Sequence, residues 1–198
     1  MSQNPEEKDA AAGSGEKNAS GGTSTLGQEI YQTLRSLVWI ILAVIFVFTF
    51  IVRLTVVDGP SMKDTLQHGD IVLTRRLGYT PRQGDVVVLT KESFRADSII
   101  KRVIATEGQR VDIDYAANTV TVDGEVLSEP YLPETMRVPG YGDTVNHLTV
   151  PEGCIFVMGD NRNHSSDSRY PDIGVVDVRC VIGKATLVLF PFSDFGAL

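Results

Sequence analysis

The run "LVWIILAVIFVFTFIV", Leu37 to Val52, holds sixteen consecutive residues without a formal charge. It continues through Arg53 and "LTVV" to Val57, and with Arg53 snorkelling at one interface it reaches the ~20 residues that a spanning helix needs. Residues 35–57 are therefore expected to form a transmembrane anchor. The competing reading is a cleavable signal sequence, but its apolar core would be shorter, and no small-x-small site follows before the chain turns to "VDGPSM". Lys8, Lys17 and Arg35 on one side stand against Arg53, Lys63, Arg75 and Arg76 on the other. The count of flanking positive charge leaves the orientation of the span open.

The run divides the chain. Residues 1–28, rich in Ala, Gly, Ser, Glu and Lys with almost no large apolar side chain, are expected to be a disordered tail. A chain of 198 residues at 42% hydrophobic content is enough for one sizeable domain plus appendages. A net charge of −7, from 25 acidic and 18 basic residues, argues against nucleic acid as a partner. Cys154 and Cys180 fit no zinc or Cys-x-x-Cys spacing and read either as two small buried side chains or as a disulfide. His68, His147 and His164 lie in separate segments without metal-ligand spacing and read as surface residues.

Residues 58–198 read as short strands: "DIVLTRRL", "DVVVLTK", "SIIKRVIATEG", "NTVTVDGEVL", "CIFVMG" and "GVVDVRCVIGKATLVLF". Turn signals separate them, and "VTVDGEV" is a hairpin with Asp123-Gly124 at its turn. No long amphipathic helix pattern follows the anchor. The expected fold is a mostly β, antiparallel domain on a membrane stalk, with the less apolar stretch 112–150 as a candidate insertion.

Strand alternation in "SIIKRVIAT" puts Ile99, Lys101, Val103 and Ala105 on one face and Ile100, Arg102, Ile104 and Thr106 on the other. A lysine among apolar neighbours is unusual. Burial disfavours its ammonium form and moves the pKa from ~10.4 toward the ~7–8 that suits a general base. Taken alone, the strand reads first as one whose lysine head reaches solvent at the edge. In "GPSMKDTL", Gly59 and Pro60 constrain the backbone before Ser61, which by itself reads as a turn residue.

In order, an apolar anchor, "GPSMKDTL", "IIKRVIATEG" and "GDNRNHSSDSR" resemble the bacterial type I signal peptidases over roughly residues 35–192. The last motif, Gly-Asp-Asn-Arg-x-x-Ser-x-Asp-Ser-Arg, has eight specified positions, all present as Gly159, Asp160, Asn161, Arg162, Ser165, Asp167, Ser168 and Arg169. The resemblance implies a signal-peptidase-type β-domain and a serine endopeptidase with Ser61 as nucleophile and Lys101 as general base. It further implies Ser165 as the residue that orients the lysine, Asp160 paired with Arg102, and Asp167 paired with Arg169. Met62, Leu66 and Ile100 would line a shallow pocket for a small side chain. No metal or organic cofactor is implied.

Implied substrates are exported preproteins cleaved after small-x-small signals, met beside the lipid bilayer near the export translocon. The single-pass chain would keep its tail cytoplasmic and residues 58–198 extracytoplasmic. Two positions depart from the family pattern: Asp64 stands where many relatives have proline, and Gly59 where some carry a hydroxyl that serves the oxyanion hole. A Ser-Lys self-cleaving repressor would carry a DNA-binding domain instead of an anchor. A tethered binding domain with a silent dyad is the alternative from another class.

Overall fold

The computed structural model describes residues 25–91, 95–137 and 144–198, and divides into two compact units, one ending at Leu42 and the other running from Ala43 to Leu198. Helix α1 spans Leu26–Phe46 and passes into a π-helical turn, Val47–Ile51. Together they form a continuous helical stretch of 26 residues, none buried against the rest of the protein, long and apolar enough to cross a bilayer. Its limits differ from the expected 35–57. Leu26–Gln28 are already helical, so of the expected tail only residues 25–28 are described and most of these are ordered; residues 1–24 lie outside the described residues. At the other end, Val52–Val56 form strand β1. There the backbone finds a partner in β2, Ile71–Arg75, with Val52 opposite Arg75 and Val56 opposite Ile71. β-Branched Val52, Thr55 and Val56 suit that pleated surface.

The remaining strands are β3 (Val86–Lys91), β4 (Arg95–Thr106), β5 (Arg110–Asp114), β6 (Thr119–Val122), β7 (Glu125–Val126), β8 (His147–Thr149), β9 (Cys154–Met158), β10 (Val176–Asp177), β11 (Val181–Phe190) and β12 (Gly196–Ala197). The larger sheet has the order β1-β2-β11-β3-β4-β9-β10, with β12 paired to β11; the smaller is β7-β6-β5-β8. Every pairing is antiparallel, as the alternating sequence predicts. The candidate insertion 112–150 falls on the smaller sheet. The β6–β7 hairpin turns at Asp123-Gly124, both with positive φ (53° and 86°), where the glycine adopts the left-handed conformation without steric cost. The run 174–190 is not one strand: Val178–Cys180 form a 3₁₀ turn between β10 and β11, closed by the Asp177 carboxylate accepting from Arg179 N.

Alternation on β3 builds both faces of the large sheet. Val86 and Val88 pack with Val57, Met62, Leu66, Val72 and Ile100; Val87 and Leu89 pack with Ile99, Val103, Val157 and Ile173. Each such side chain, fully buried, contributes about 1.5–3 kcal/mol. Alternation fails at one point on β4. A bulge between Val103 and Ala105 sends Ala105 into the same cluster as Ile104, with Val111, Val120 and Phe156, instead of onto the face of Ile99 and Val103. Cys154 and Cys180 are free thiols, half-buried. His68, His147 and His164 are exposed.

Candidate active site

Ser61 sits at the start of a tight turn that follows β1. Gly59, at φ 97°, reverses the chain before it, and Lys63 N donates to the Pro60 carbonyl after it. Met62 and Leu66, each 1% exposed, pin the turn into the core beside Val57 and Ile100. The three residues expected to line a substrate pocket, Met62, Leu66 and Ile100, thus share one apolar cluster under Ser61.

Lys101 lies on β4 opposite Val87, in the middle of the large sheet, and is 3% exposed. Its Nζ stands 2.7 Å from Ser61 Oγ and donates to the Ile100 carbonyl at 3.1 Å. The sheet fixes the lysine stem from β4 while the turn brings the serine to it from β1.

The segment Gly159–Arg169 closes over this pair after β9. Asn161 N donates to the Ser61 carbonyl (3.0 Å), and Asn161 Nδ2 to the Pro60 carbonyl (3.1 Å). Gly159 is required by space. A Cβ there would lie 2.5 Å from the Ser61 carbonyl oxygen and 2.3 Å from Ser165 Oγ, so the glycine lets the two serines approach across one backbone. Ser165, buried, donates its hydroxyl proton to Asp167 Oδ2 (2.7 Å), which also accepts from Gly159 N (3.0 Å). With that proton committed, Ser165 Oγ has only lone pairs to offer any other neighbour.

Both expected ion pairs are formed. Arg169 Nε and Nη2 donate to the two Asp167 oxygens at 2.8 and 2.9 Å, and Arg102 Nε and Nη2 to those of Asp160 at 2.8 and 2.6 Å. Burial alone would push the Asp167 carboxyl up, but the Arg169 charge, its hydrogen bonds, Gly159 N and the Ser165 hydroxyl together hold it below the ordinary carboxylate range. Burial would likewise lower Arg102, and the hydrogen bonds and charge of Asp160 outweigh it, so the guanidinium is held above its ordinary value.

Sequence reasoning missed four partners. Thr65 Oγ1 donates to Asp160 Oδ2. Arg162 forks both Glu129 oxygens, Nη1 to Oε2 at 3.0 Å and Nη2 to Oε1, and its Nε donates to the Gly159 carbonyl at 3.2 Å. Tyr131 hydroxyl donates to Glu129 Oε1 at 2.8 Å, and its ring lies 4.0 Å beneath the Arg102 guanidinium. Thr65 is within the "KDTL" already singled out, and Arg162 within the motif; Glu129 and Tyr131, in "SEPY", carry no local signal.

Comparison with known proteins identifies the family. The family model described as signal peptidase, peptidase S26, matches residues 30–190. Probable signal peptidase I of Mycobacterium leprae (strain TN) is 34% identical over 232 aligned residues, covering 83% of this chain and 80% of its own. Signal peptidase I of Bacillus caldolyticus is 36% identical over 152, covering 71% and 80%. A solved signal peptidase I from Enterococcus faecalis V583 matches 55% of this chain and 98% of its own at 31% identity and a TM-score of 0.45. The chain is a hydrolase of the serine endopeptidase class. It belongs to the signal peptidase family, peptidase S26, among the type I enzymes.

Proposed function

We propose that this chain removes signal peptides from exported preproteins by acyl transfer through Ser61, with Lys101 as general base. The observation that carries the reading is the 2.7 Å approach of a buried lysine amine to the Ser61 hydroxyl. A neutral amine has one lone pair and two N–H groups. One N–H goes to the Ile100 carbonyl; in this reading the other turns to Ser165 Oγ, and the lone pair is left for the Ser61 proton. Ser165 suits this part because its own proton is held by Asp167.

Lys101 then takes the Ser61 proton as Oγ attacks the scissile carbonyl, and the Ser61 backbone N–H donates to the oxyanion that forms. The C–N bond breaks as the lysinium returns its proton to the departing amine, leaving an ester on Ser61. Lys101 next deprotonates a water, which attacks the ester and frees the signal peptide with a new carboxylate. Met62, Leu66 and Ile100 form the apolar backing of a shallow pocket that admits only a small side chain.

The helical stretch Leu26–Ile51 anchors the chain in the bilayer, with its N-terminal tail in the cytoplasm and residues 58–198 outside, beside the exit of the export translocon. The direct test incubates the purified full chain in detergent or vesicles with a signal-bearing preprotein and sequences the new N-terminus. Cleavage after a small-x-small signal, lost in Lys101→Ala, supports the reading; cleavage undiminished in Lys101→Ala refutes it.

A further inference from the structure

Four charged side chains of the Gly159–Arg169 segment, Asp160, Arg162, Asp167 and Arg169, are buried. Two of their pairings, with Arg102 and within the segment, belong to the motif regions already described. The third leaves them. Arg162 reaches out of the segment to Glu129, which follows the β6–β7 hairpin of the smaller sheet, and the side chains of the pair are 1% and 6% exposed.

Such a pair is poor evidence for stability, since apolar residues of the same volume commonly serve as well. What it supplies is geometry, because a guanidinium fork accepts a carboxylate in one plane and one direction. Around Arg162 that geometry is passed on at both ends. Its Nε donates to the Gly159 carbonyl, on the residue wedged between Ser61 and Ser165. Its own carbonyl accepts from Arg169 Nη2 at 2.6 Å, and the same Nη2 donates to Asp167, the acceptor of the Ser165 proton. A second branch leaves Glu129 through the Tyr131 hydroxyl, whose ring supports Arg102 and through it Asp160 and Thr65.

We infer that Glu129 is a positioning residue for catalysis: by fixing Arg162 and Tyr131 it lets the smaller sheet set the placement of Ser165 and Gly159 against the Ser61–Lys101 pair. This rests on the Ser-Lys reading given above and adds to it a control point outside the motifs that carry the chemistry. Removing the Glu129 carboxylate leaves the Arg162 guanidinium buried without its counter-charge. The segment relaxes toward water, and Ser165 drifts from the lysine.

The test compares wild type, Glu129→Gln, Arg162→Gln, the double variant and Tyr131→Phe on one preprotein, with Glu125→Gln, an exposed change on β7, as reference. Glu129→Gln should lower kcat by about tenfold to a hundredfold with KM within about twofold. The double variant should be no slower than Arg162→Gln, since the two act through one link. Amide exchange across residues 159–169 should quicken in Glu129→Gln, while β1 and β2 stay protected. Tyr131→Phe, which deletes one hydrogen bond and keeps the ring over Arg102, is the milder change if Glu129→Gln fails to fold; it should show the same kcat-only loss on a smaller scale. Wild-type kcat in these variants, a loss confined to KM, or additive effects in the double variant would each overturn the positioning role. Failure of the underlying reading would look different, as activity surviving Lys101→Ala while exchange at residues 159–169 still responds to Glu129.

Discussion

Lys101 Nζ and Ser61 Oγ, forty residues apart in sequence, are 2.7 Å apart in space, and one is held by the middle of a sheet while the other rides a turn at its edge. In the proposed mechanism the amine alternates between accepting and returning a proton. Lys101→Arg supplies a group that cannot be deprotonated, so it should lower turnover at least a thousandfold while the melting temperature stays near wild type. Steady-state kinetics and thermal melts on the same preparation check both halves.

Gly159→Ala tests the wedge. The added Cβ would meet the Ser61 carbonyl oxygen at 2.5 Å and the Ser165 side chain at 2.3 and 2.6 Å. The first of these is backbone and has no rotamer to escape into. The variant should lose about 1–3 kcal/mol of stability by urea unfolding, and kcat should fall about a hundredfold as the two serines are pushed apart.

Ser165→Ala should cost kcat on the order of tenfold to a thousandfold with little change in KM. Ser166, exposed, should tolerate alanine. Ser165→Thr keeps the hydroxyl and should retain part of the activity. Ser168, whose Oγ accepts from Val157 N at 3.0 Å, ties the segment to β9, so its loss should appear first in the melting temperature. Measuring kcat and Tm for all four separates an orienting serine from a supporting one. Equal damage from Ser166→Ala and Ser165→Ala at unchanged Tm would reassign the lysine's partner.

Asp167 gives the segment an acid limit. Its folded pKa lies below the ordinary value of 3.8, so the stability it contributes is fully present above that value and is lost as pH falls through the lower folded pKa. Asp167→Asn should therefore destabilise the domain by about 3–5 kcal/mol near neutrality, where Arg169 is left buried without its counter-charge. The gap to wild type should narrow only below about pH 4. Melting curves of the two proteins from pH 7 to pH 2 trace it; a gap independent of pH would mean that the carboxylate charge contributes nothing.

The proposed orientation predicts which parts of the chain protease reaches in intact protoplasts. The exposed segments of the β-domain, such as the β6–β7 hairpin at residues 123–126, should be cut while residues 1–24 stay protected until the membrane is opened. Immunoblots against the two ends distinguish this from the inverted arrangement.

β2, β3, β4, β6, β7 and β9 can be read in the sequence because apolar stretches stand between clear turn signals, and Asp123-Gly124 marks its hairpin outright; β5, β8 and β12 are too polar or too short to stand out, and β10 runs into β11. β1 cannot be read either, since its residues continue the apolar run and periodicity does not separate a short strand from the end of a helix. The same holds for the bulge at Val103–Ala105, which depends on how β9 lies against β4. Within the site, the pairs Arg102–Asp160 and Arg169–Asp167 were implied by motif resemblance. Glu129 was not, because the residue that makes its role visible is 33 positions away and only the folded backbone brings the two together.

The passage from Ile51 into Val52 without an intervening loop also sets a length. Here the first strand starts where the helical stretch stops, and its register against β2 is pinned residue by residue from Val52 to Val56. Ser61, nine residues after Val52, is thus reached from a strand whose register is already set. Lengthening β1 by one residue would shift that register and carry Ser61 out of line with Lys101, so the length of the strand and the approach of the two side chains cannot be varied independently.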